Sequence, residues 1–85
     1  MYRVVLSNRA KKDLKKLDKR YLLKISNFID ILQTNLFVGK KMEGEFKNSY
    51  KIKIPPIRMI YTPNFENKVI LVETIGHRGD IYKSL

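Results

Sequence analysis

The spacing of apolar residues divides the chain into two helical stretches followed by several strands. Tyr2–Leu6 is short and rich in β-branched residues, which predicts a first strand. Apolar residues then recur at helical spacing over residues 8–17 and about 19–35, which predicts two antiparallel helices joined around Asp18. The first helix should begin after Ser7, because a serine hydroxyl can accept a hydrogen bond from the first free amides of a helix.

The second half of the chain shows the shorter period of β-structure. Tyr50–Ile54 and Ile57–Tyr61 predict two strands, and the glycine-containing stretch 37–49 before them predicts a loop. Lys68–Ile75 holds an uninterrupted apolar run, which is typical of a central strand covered on both faces. The predicted order β-α-α-β-β-β makes one α+β domain over residues 1–85. Its small, mostly antiparallel sheet should carry the helical hairpin on one face.

Composition narrows the range of partners. The 85 residues carry a net charge of +10, which favours nucleic acid first and an anionic membrane or acidic protein second. The chain has no cysteine, so a disulfide framework and a thiolate metal site are both excluded. The N-terminus lacks the apolar stretch of a signal peptide, and no apolar run reaches the length of a membrane span. We therefore expect a cytoplasmic protein without a small-molecule cofactor, a metal or a membrane contact.

Cations alternate with apolar residues on one predicted strand. Lys51 and Lys53 lie two residues apart, so their side chains share one face of an extended strand. Arg58 follows on the next strand, beyond the Pro55-Pro56 turn. Neighbouring positive charges on a sheet repel each other, so the pattern indicates a site for a phosphate. The alternative is that the two lysines form the solvated face of an edge strand, where lysine discourages aggregation.

Four segments in a fixed order extend this pattern over nearly the whole chain. They are the basic helix at 7–17, the loop Met42-Glu43-Gly44, the strand pair Tyr50–Ile54 and Arg58–Tyr61, and the ending Ile75–Tyr82. In this order and at this length they resemble the RelE/ParE superfamily of toxins from type II toxin–antitoxin systems, and within it the RelE-like branch.

The resemblance implies a RelE-like fold and an activity. RelE-like members cleave messenger RNA in the ribosomal A site, and a cognate antitoxin neutralises them. Their functional residues are two strand lysines, a strand arginine, a loop arginine and a late tyrosine, which correspond here to Lys51, Lys53, Arg58, Arg78 and Tyr82. We therefore expect an acidic antitoxin, ribosomal RNA and messenger RNA as partners, with the lysines of the first helix contacting ribosomal RNA.

Cleavage without a metal would use the ribose 2′-hydroxyl as the nucleophile. Lys51 or Lys53 is the candidate base, because neighbouring cations favour a neutral amine. Arg58 could hold the phosphate bidentately, and Arg78 could stabilise the leaving oxygen. His77 is the residue suited to proton transfer at neutral pH, unless it is only a loop histidine.

Other readings of the same residues remain open. Arg58 could pair with Glu73 on a neighbouring strand, and Tyr82 either stacks on a base or packs near the chain end. Arg78 and Tyr82 are also closer together than in the best-known ribosome-dependent members. The alternatives for the whole protein are a ParE-like gyrase inhibitor without catalysis and an inactive basic RNA-binding homologue.

Overall fold

The fold is a five-stranded sheet with two helices inserted after its first strand. The structure, a computed structural model, describes residues 1–44 and 48–77. Its elements in chain order are β1 (Arg3–Leu6), α1 (Asn8–Lys16), a short 3-10 turn (Lys19–Tyr21), α2 (Leu22–Thr34), β2 (Lys40–Lys41), β3 (Tyr50–Ile54), β4 (Ile57–Asn64) and β5 (Val69–His77).

The strands lie in the order β1-β5-β4-β3-β2. β1 pairs with β5 in parallel, and every other neighbouring pair is antiparallel. The helical hairpin is the crossover that a parallel pair needs, and the strands after it follow one another in short reversals. The predicted α+β class, helical hairpin and mostly antiparallel sheet are confirmed. β2 was not predicted, because Lys40–Lys41 lies in the stretch expected to be a loop.

The core lies between the helices and one face of the sheet. Ile25 and Leu32 of α2 and Ala10 of α1 are buried at 2%, 0% and 0% exposure. Their partners alternate along the strands, as period-two patterning requires: Ile52, Ile54, Ile57, Met59, Tyr61, Ile70, Val72 and Ile75. Full burial of one such side chain stabilises the fold by roughly 1.5–3 kcal/mol, so this single layer holds most of the hydrophobic stabilisation.

The opposite face of the sheet, which we term the open face, carries no helix. This corrects the prediction that the last strand is covered on both faces. Leu71 is 37% exposed although Ile70 and Val72 on either side of it are fully buried. The apolar run in β5 therefore has one covered and one open face, because both helices pack on the same side.

Helix α1 is fastened to β5 by two polar side chains. Ser7 caps the helix by accepting from the Ala10 amide at 3.0 Å and donates to the Glu73 carbonyl at 2.7 Å. Asp13, the acidic residue of α1, accepts from the Thr74 hydroxyl at 2.9 Å and the Ile75 amide at 3.0 Å. These bonds satisfy the backbone of β5 where its ladder with β4 is interrupted.

The interruption is a β-bulge. Ile60 pairs with Thr74 and Tyr61 with Val72, so β5 holds one residue more than β4 at this point. Consecutive residues Thr74 and Ile75 are both buried, at 2% and 1% exposure. The alternation of faces along β5 therefore changes at the bulge.

Two local features complete the description. A cis peptide bond joins Pro55 to Pro56 in the turn between β3 and β4. Among the described residues, no helix combines the length and apolarity needed to cross a bilayer.

Candidate functional site

Four cations meet on the open face near the β3–β4 turn and the β2 edge. Lys53 lies directly opposite Arg58, and Lys51 lies directly opposite Lys40. Lys51 and Lys53 share a face because they are two residues apart on β3. We term Lys40, Lys51, Lys53 and Arg58 the cationic face. The sequence predicted three of these four residues.

The cationic face costs stability. Directly opposed like charges on a sheet are unfavourable by roughly 0.2–1 kcal/mol per pair, and the register creates two such pairs. A surface that concentrates positive charge at this cost has the chemistry of an anion-binding site.

A buried tyrosine holds the segment that carries Lys40. The Tyr61 hydroxyl donates to the Leu36 carbonyl at 2.6 Å and accepts from the Gly39 amide at 3.0 Å. A Cβ at Gly39 would lie 2.6 Å from the Tyr61 hydroxyl and 2.9 Å from the Lys51 carbonyl, so the close approach requires glycine. Burial raises the pKa of Tyr61 above its usual value, because the charged phenolate would be poorly solvated there.

Two apolar residues pack against each other on the open face, beside the lysines of the cationic face. Ile60 and Met42 pack against each other at 1% and 9% exposure. Ile60 lies opposite Lys51, and Met42 donates its amide to the Ser49 carbonyl at 2.9 Å. This contact links the chain after β2 to the start of β3. It also places apolar surface beside the lysine stems, which pack well against it.

His77 lies on the other side of the sheet from the cationic face. It pairs with Ile57, a fully buried residue of the helical face, whereas Arg58 pairs with Gly76. His77 also lines a depression with Arg9, Asp13 and Lys16 of α1. The structure therefore brings Lys51, Lys53 and Arg58 together and leaves His77 at the strand end, across β5 from them.

Two predicted site residues, Arg78 and Tyr82, lie outside the described residues. Glu73, the alternative partner considered for Arg58, accepts a hydrogen bond from the Thr62 hydroxyl at 2.7 Å and a longer one from Ser49 at 3.4 Å. Lys40 was missed because two lysines in a glycine-containing stretch show no alternation. The signal that could have revealed it is the use of lysine on short edge strands.

The outer surface of α1 is a second basic region. Its lysines are exposed, and its acidic residue is turned inward to β5. The exposed members are Lys11, Lys12, Lys15 and Lys16. Within residues 1–44 and 48–77 there is no group of three or more His, Cys, Asp or Glu side chains that could hold a metal ion.

Comparison with known proteins gives one family over nearly the whole chain. The model of the family described as "ParE toxin of type II toxin-antitoxin system, parDE" matches residues 4–82. The toxin RelG of Mycobacterium tuberculosis is 29% identical over 84 residues, covering 96% of this chain and 97% of that protein. The putative toxin RelE1 of Methanocaldococcus jannaschii is also 29% identical, over 87 residues, covering 98% of this chain and 97% of that protein.

Solved structures show the same architecture. A chain of the toxin–antitoxin complex RelBE2 from Mycobacterium tuberculosis matches with a TM-score of 0.79 and 26% identity, covering 91% of this chain and 98% of that one. The isolated RelE toxin of E. coli shares the fold with a TM-score of 0.77 at 24% identity, covering 99% and 94%. Because the family match spans residues 4–82 of 85, the chain belongs to the ParE toxin family and is a toxin of a type II toxin–antitoxin system with the RelE fold.

Proposed function

We propose that this toxin is an endoribonuclease that cleaves messenger RNA in the ribosomal A site, in the cytoplasm. The observation that carries the proposal is the cationic face, where Lys53 stands opposite Arg58 and Lys51 opposite Lys40. Two opposed cation pairs on an open sheet face suit a bound phosphodiester, whose charge offsets their mutual repulsion. The relatives named RelG and RelE1, both called toxins, support the same branch of the family.

The proposed cleavage reaction uses the ribose 2′-hydroxyl as nucleophile and requires no metal or cofactor. The ribose 2′-oxygen attacks the adjacent phosphorus, the bond from phosphorus to the 5′ oxygen breaks, and the products are a 2′,3′-cyclic phosphate and a 5′-hydroxyl. The 2′ proton passes to a base, for which Lys51 or Lys53 is the candidate. Arg58 and the neighbouring lysines stabilise the crowded phosphorane, because its charge develops where they converge.

The leaving 5′ oxygen must take up a proton to become the 5′-hydroxyl, and a nearby positive charge stabilises it until it does. Arg78 is the proposed stabiliser of that oxygen, and Tyr82 the proposed stacking partner for a base. His77 remains a candidate proton donor only for substrate that reaches past the end of β5, because it lies across that strand from Arg58. Two routes to the 5′-hydroxyl therefore remain: His77 donates the proton as general acid, or Arg78 stabilises the oxygen by charge while water supplies the proton.

The ribosome supplies the second part of the site. Exposed lysines on α1 and a net charge of +10 suit contact with ribosomal RNA, which would orient the message against the cationic face. Orientation of this kind contributes a large share of catalysis when the protein itself offers few groups. We expect cleavage of free RNA to be much slower than cleavage on the ribosome.

The proposed regulator is an acidic antitoxin that covers the cationic face. Similar chains have been solved in complex with antitoxins, including RelBE2 and the RelE–RelB complex of Pyrococcus horikoshii. Opposite charge should speed association and make it sensitive to salt. Covering the cationic face would block the phosphate site directly.

The second candidate function is inhibition of DNA gyrase without catalysis. The observation in its favour is that the matching family is described by the ParE toxin. Inhibition of a protein target has no need for opposed cations on the open face, so the two candidates predict different activities for this surface. An inactive basic RNA-binding homologue is the third outcome of the same experiment.

The experiment is single-turnover cleavage of a message on programmed ribosomes, with the antitoxin removed, read by primer extension. Gyrase supercoiling is measured with the same preparation. Cleavage with a 2′,3′-cyclic phosphate end and unaffected supercoiling is the expected result. Intact message with blocked supercoiling would establish the gyrase inhibitor instead, and co-sedimentation with ribosomes without either activity would establish the inactive homologue.

A further inference from the structure

A groove of about 890 Å³ continues the open face beyond the cationic face. Its apolar lining includes Val5 and Leu71, each 37% exposed, together with Val69 and Phe65. β1 and β5 place Val5 beside Leu71, because these residues are paired across the parallel ladder. The open face thus has a cationic half over β2, β3 and β4 and an apolar half over β1 and β5.

Three polar side chains stand at the boundary between the two halves. The Thr62 hydroxyl donates to Glu73 Oε2 at 2.7 Å, and the Ser49 hydroxyl lies 2.7 Å from that of Thr62. Because the Thr62 proton goes to Glu73, the single Ser49 proton is shared between the Thr62 oxygen at 2.7 Å and Glu73 Oε2 at 3.4 Å. Among the described residues, the hydrogen bonds to the Glu73 carboxylate all end on Oε2, which leaves Oε1 as an acceptor.

The boundary lies one short step from the phosphate site. Ser49 is two residues before Lys51 and Thr62 is two residues after Ile60, which faces Lys51 across the ladder. Two residues of strand span about 7 Å. If Lys51 holds the phosphate of a nucleotide, the base of the same nucleotide therefore lies within reach of Thr62 and Glu73.

We propose that this groove is a nucleobase subsite that selects guanine, an inference that rests on the proposed ribonuclease function. Guanine presents two N–H donors side by side on its Watson–Crick edge, and Glu73 Oε1 can accept from both with its two lone pairs, while the ring covers the apolar floor of Val5 and Leu71. Single-stranded RNA is read in this way, by stacking or apolar contact together with hydrogen bonds to base edges. Uracil is disfavoured, since carbonyl oxygens flank its one N–H and would face the carboxylate.

The charge of the boundary argues for a base over a peptide of the antitoxin. An acidic segment is attracted to Lys51 and Arg58 but repelled by carboxylates, and the groove is lined by two of them, Glu66 and Glu73, against one lysine, Lys41. A base is uncharged and carries donors, so it pairs with Glu73 while the phosphate keeps to the cations. The cationic face thus matches the phosphate of a nucleotide, and the apolar groove with its carboxylate matches the base.

The test measures how strongly the cleavage rate depends on the base in the A-site codon. Wild type is compared with Glu73→Gln on programmed ribosomes, using messages whose A-site codons differ in a single base. The carboxamide replaces one acceptor with a donor, so the ratio of the guanine rate to the uracil rate should fall about tenfold. Asp30→Asn, which removes the same charge from the exposed surface of α2, should leave the ratio at the wild-type value.

Thr62→Val provides a second variant in case Glu73→Gln does not fold. It removes the hydroxyl that holds Oε2, so the same ratio should fall, with circular dichroism confirming the fold. Ratios equal to wild type in both variants, with cleavage present, would overturn the subsite and leave the ribonuclease proposal standing. A change confined to antitoxin affinity would overturn it in favour of a peptide site. Absence of cleavage by wild type would defeat the proposed function, and the subsite with it.

Discussion

Replacing Lys53 with glutamine should make the protein more stable and less active at the same time. Lys53 is exposed and stands directly opposite Arg58, with Lys51 two residues away on the same face. Glutamine keeps a side chain of similar reach and a polar end but removes the charge. If the cationic face exists to hold a phosphate, the folded protein tolerates repulsion that the substitution relieves.

The magnitude follows from the register. One opposed like-charge pair costs roughly 0.2–1 kcal/mol, and Lys53→Gln removes one such pair. For a domain of this size, that gain corresponds to a rise in melting temperature of about 1–8 °C. Loss of one contact to the phosphorane should cost about 3 kcal/mol, or around a hundredfold in rate. The two effects have opposite signs, which a merely structural lysine would not produce.

The assay pairs urea unfolding, followed by circular dichroism, with single-turnover cleavage on programmed ribosomes. Lys24→Gln is the matched control, because Lys24 is exposed on α2 and the net charge falls equally in both variants. The stability gain of Lys53→Gln should also shrink at high salt, as the repulsion is screened. A variant that is less stable than Lys24→Gln, or that cleaves as fast as wild type, would refute the reasoning.

Three further predictions concern the anchor, the buried hydroxyl and the C-terminal arginine. Asp13→Ala leaves the Thr74 hydroxyl and a strand amide without their acceptor, so urea unfolding should show a loss of about 3 kcal/mol, and a loss below about 1 kcal/mol would contradict the anchoring role. Burial raises the Tyr61 pKa above 10.0 in the folded state, so its contribution to stability is complete below pH 10 and is lost as pH rises through the folded pKa. Tyr61→Phe should therefore show a shallower decline in unfolding free energy than wild type as the pH rises above 10, and parallel curves would count against this. Arg78→Lys keeps the charge but loses the planar fork, so cleavage should fall sharply while co-sedimentation with ribosomes persists, and equal cleavage would remove Arg78 from the chemistry.

Much of the fold follows from local patterning. Tyr50–Ile54 was predicted with its observed bounds, because a run of alternating residues ended by two prolines leaves little freedom. The helical hairpin was also predicted, since apolar residues recur at helical spacing in two stretches and Ser7 marks the first helix start by the hydrogen bond that its side chain accepts. The cap that Asp18 forms at the 3-10 turn before α2 was not predicted. β2 was missed because pairing with β3, and not its own pattern, makes Lys40–Lys41 a strand.

The candidate site was also predictable where local patterning determines it, and unpredictable where long-range contacts do. Alternation alone puts Lys51 and Lys53 on one face, and a tight turn between adjacent strands brings Arg58 opposite Lys53. Lys40 depends on the long-range bonds of Tyr61, which no local pattern contains. The two faces of β5 were misjudged because an apolar run shows that a strand is interior to a sheet, without showing how many layers cover it.

Because of the bulge in β5, the number of residues in this strand determines which side chains face the helices and which lie on the open face. Even-numbered residues face the helices at Ile70 and Val72, and odd-numbered residues do so at Ile75 and His77. Removing one residue at the bulge would exchange the faces on which Ile75, Gly76 and His77 lie and turn the histidine toward the cationic face. The present phase puts Gly76 beside Arg58, and a Cβ at Gly76 would meet nothing within 4 Å. A chain one residue shorter at the bulge would thus carry an imidazole among the lysines of the cationic face with an almost unchanged sequence.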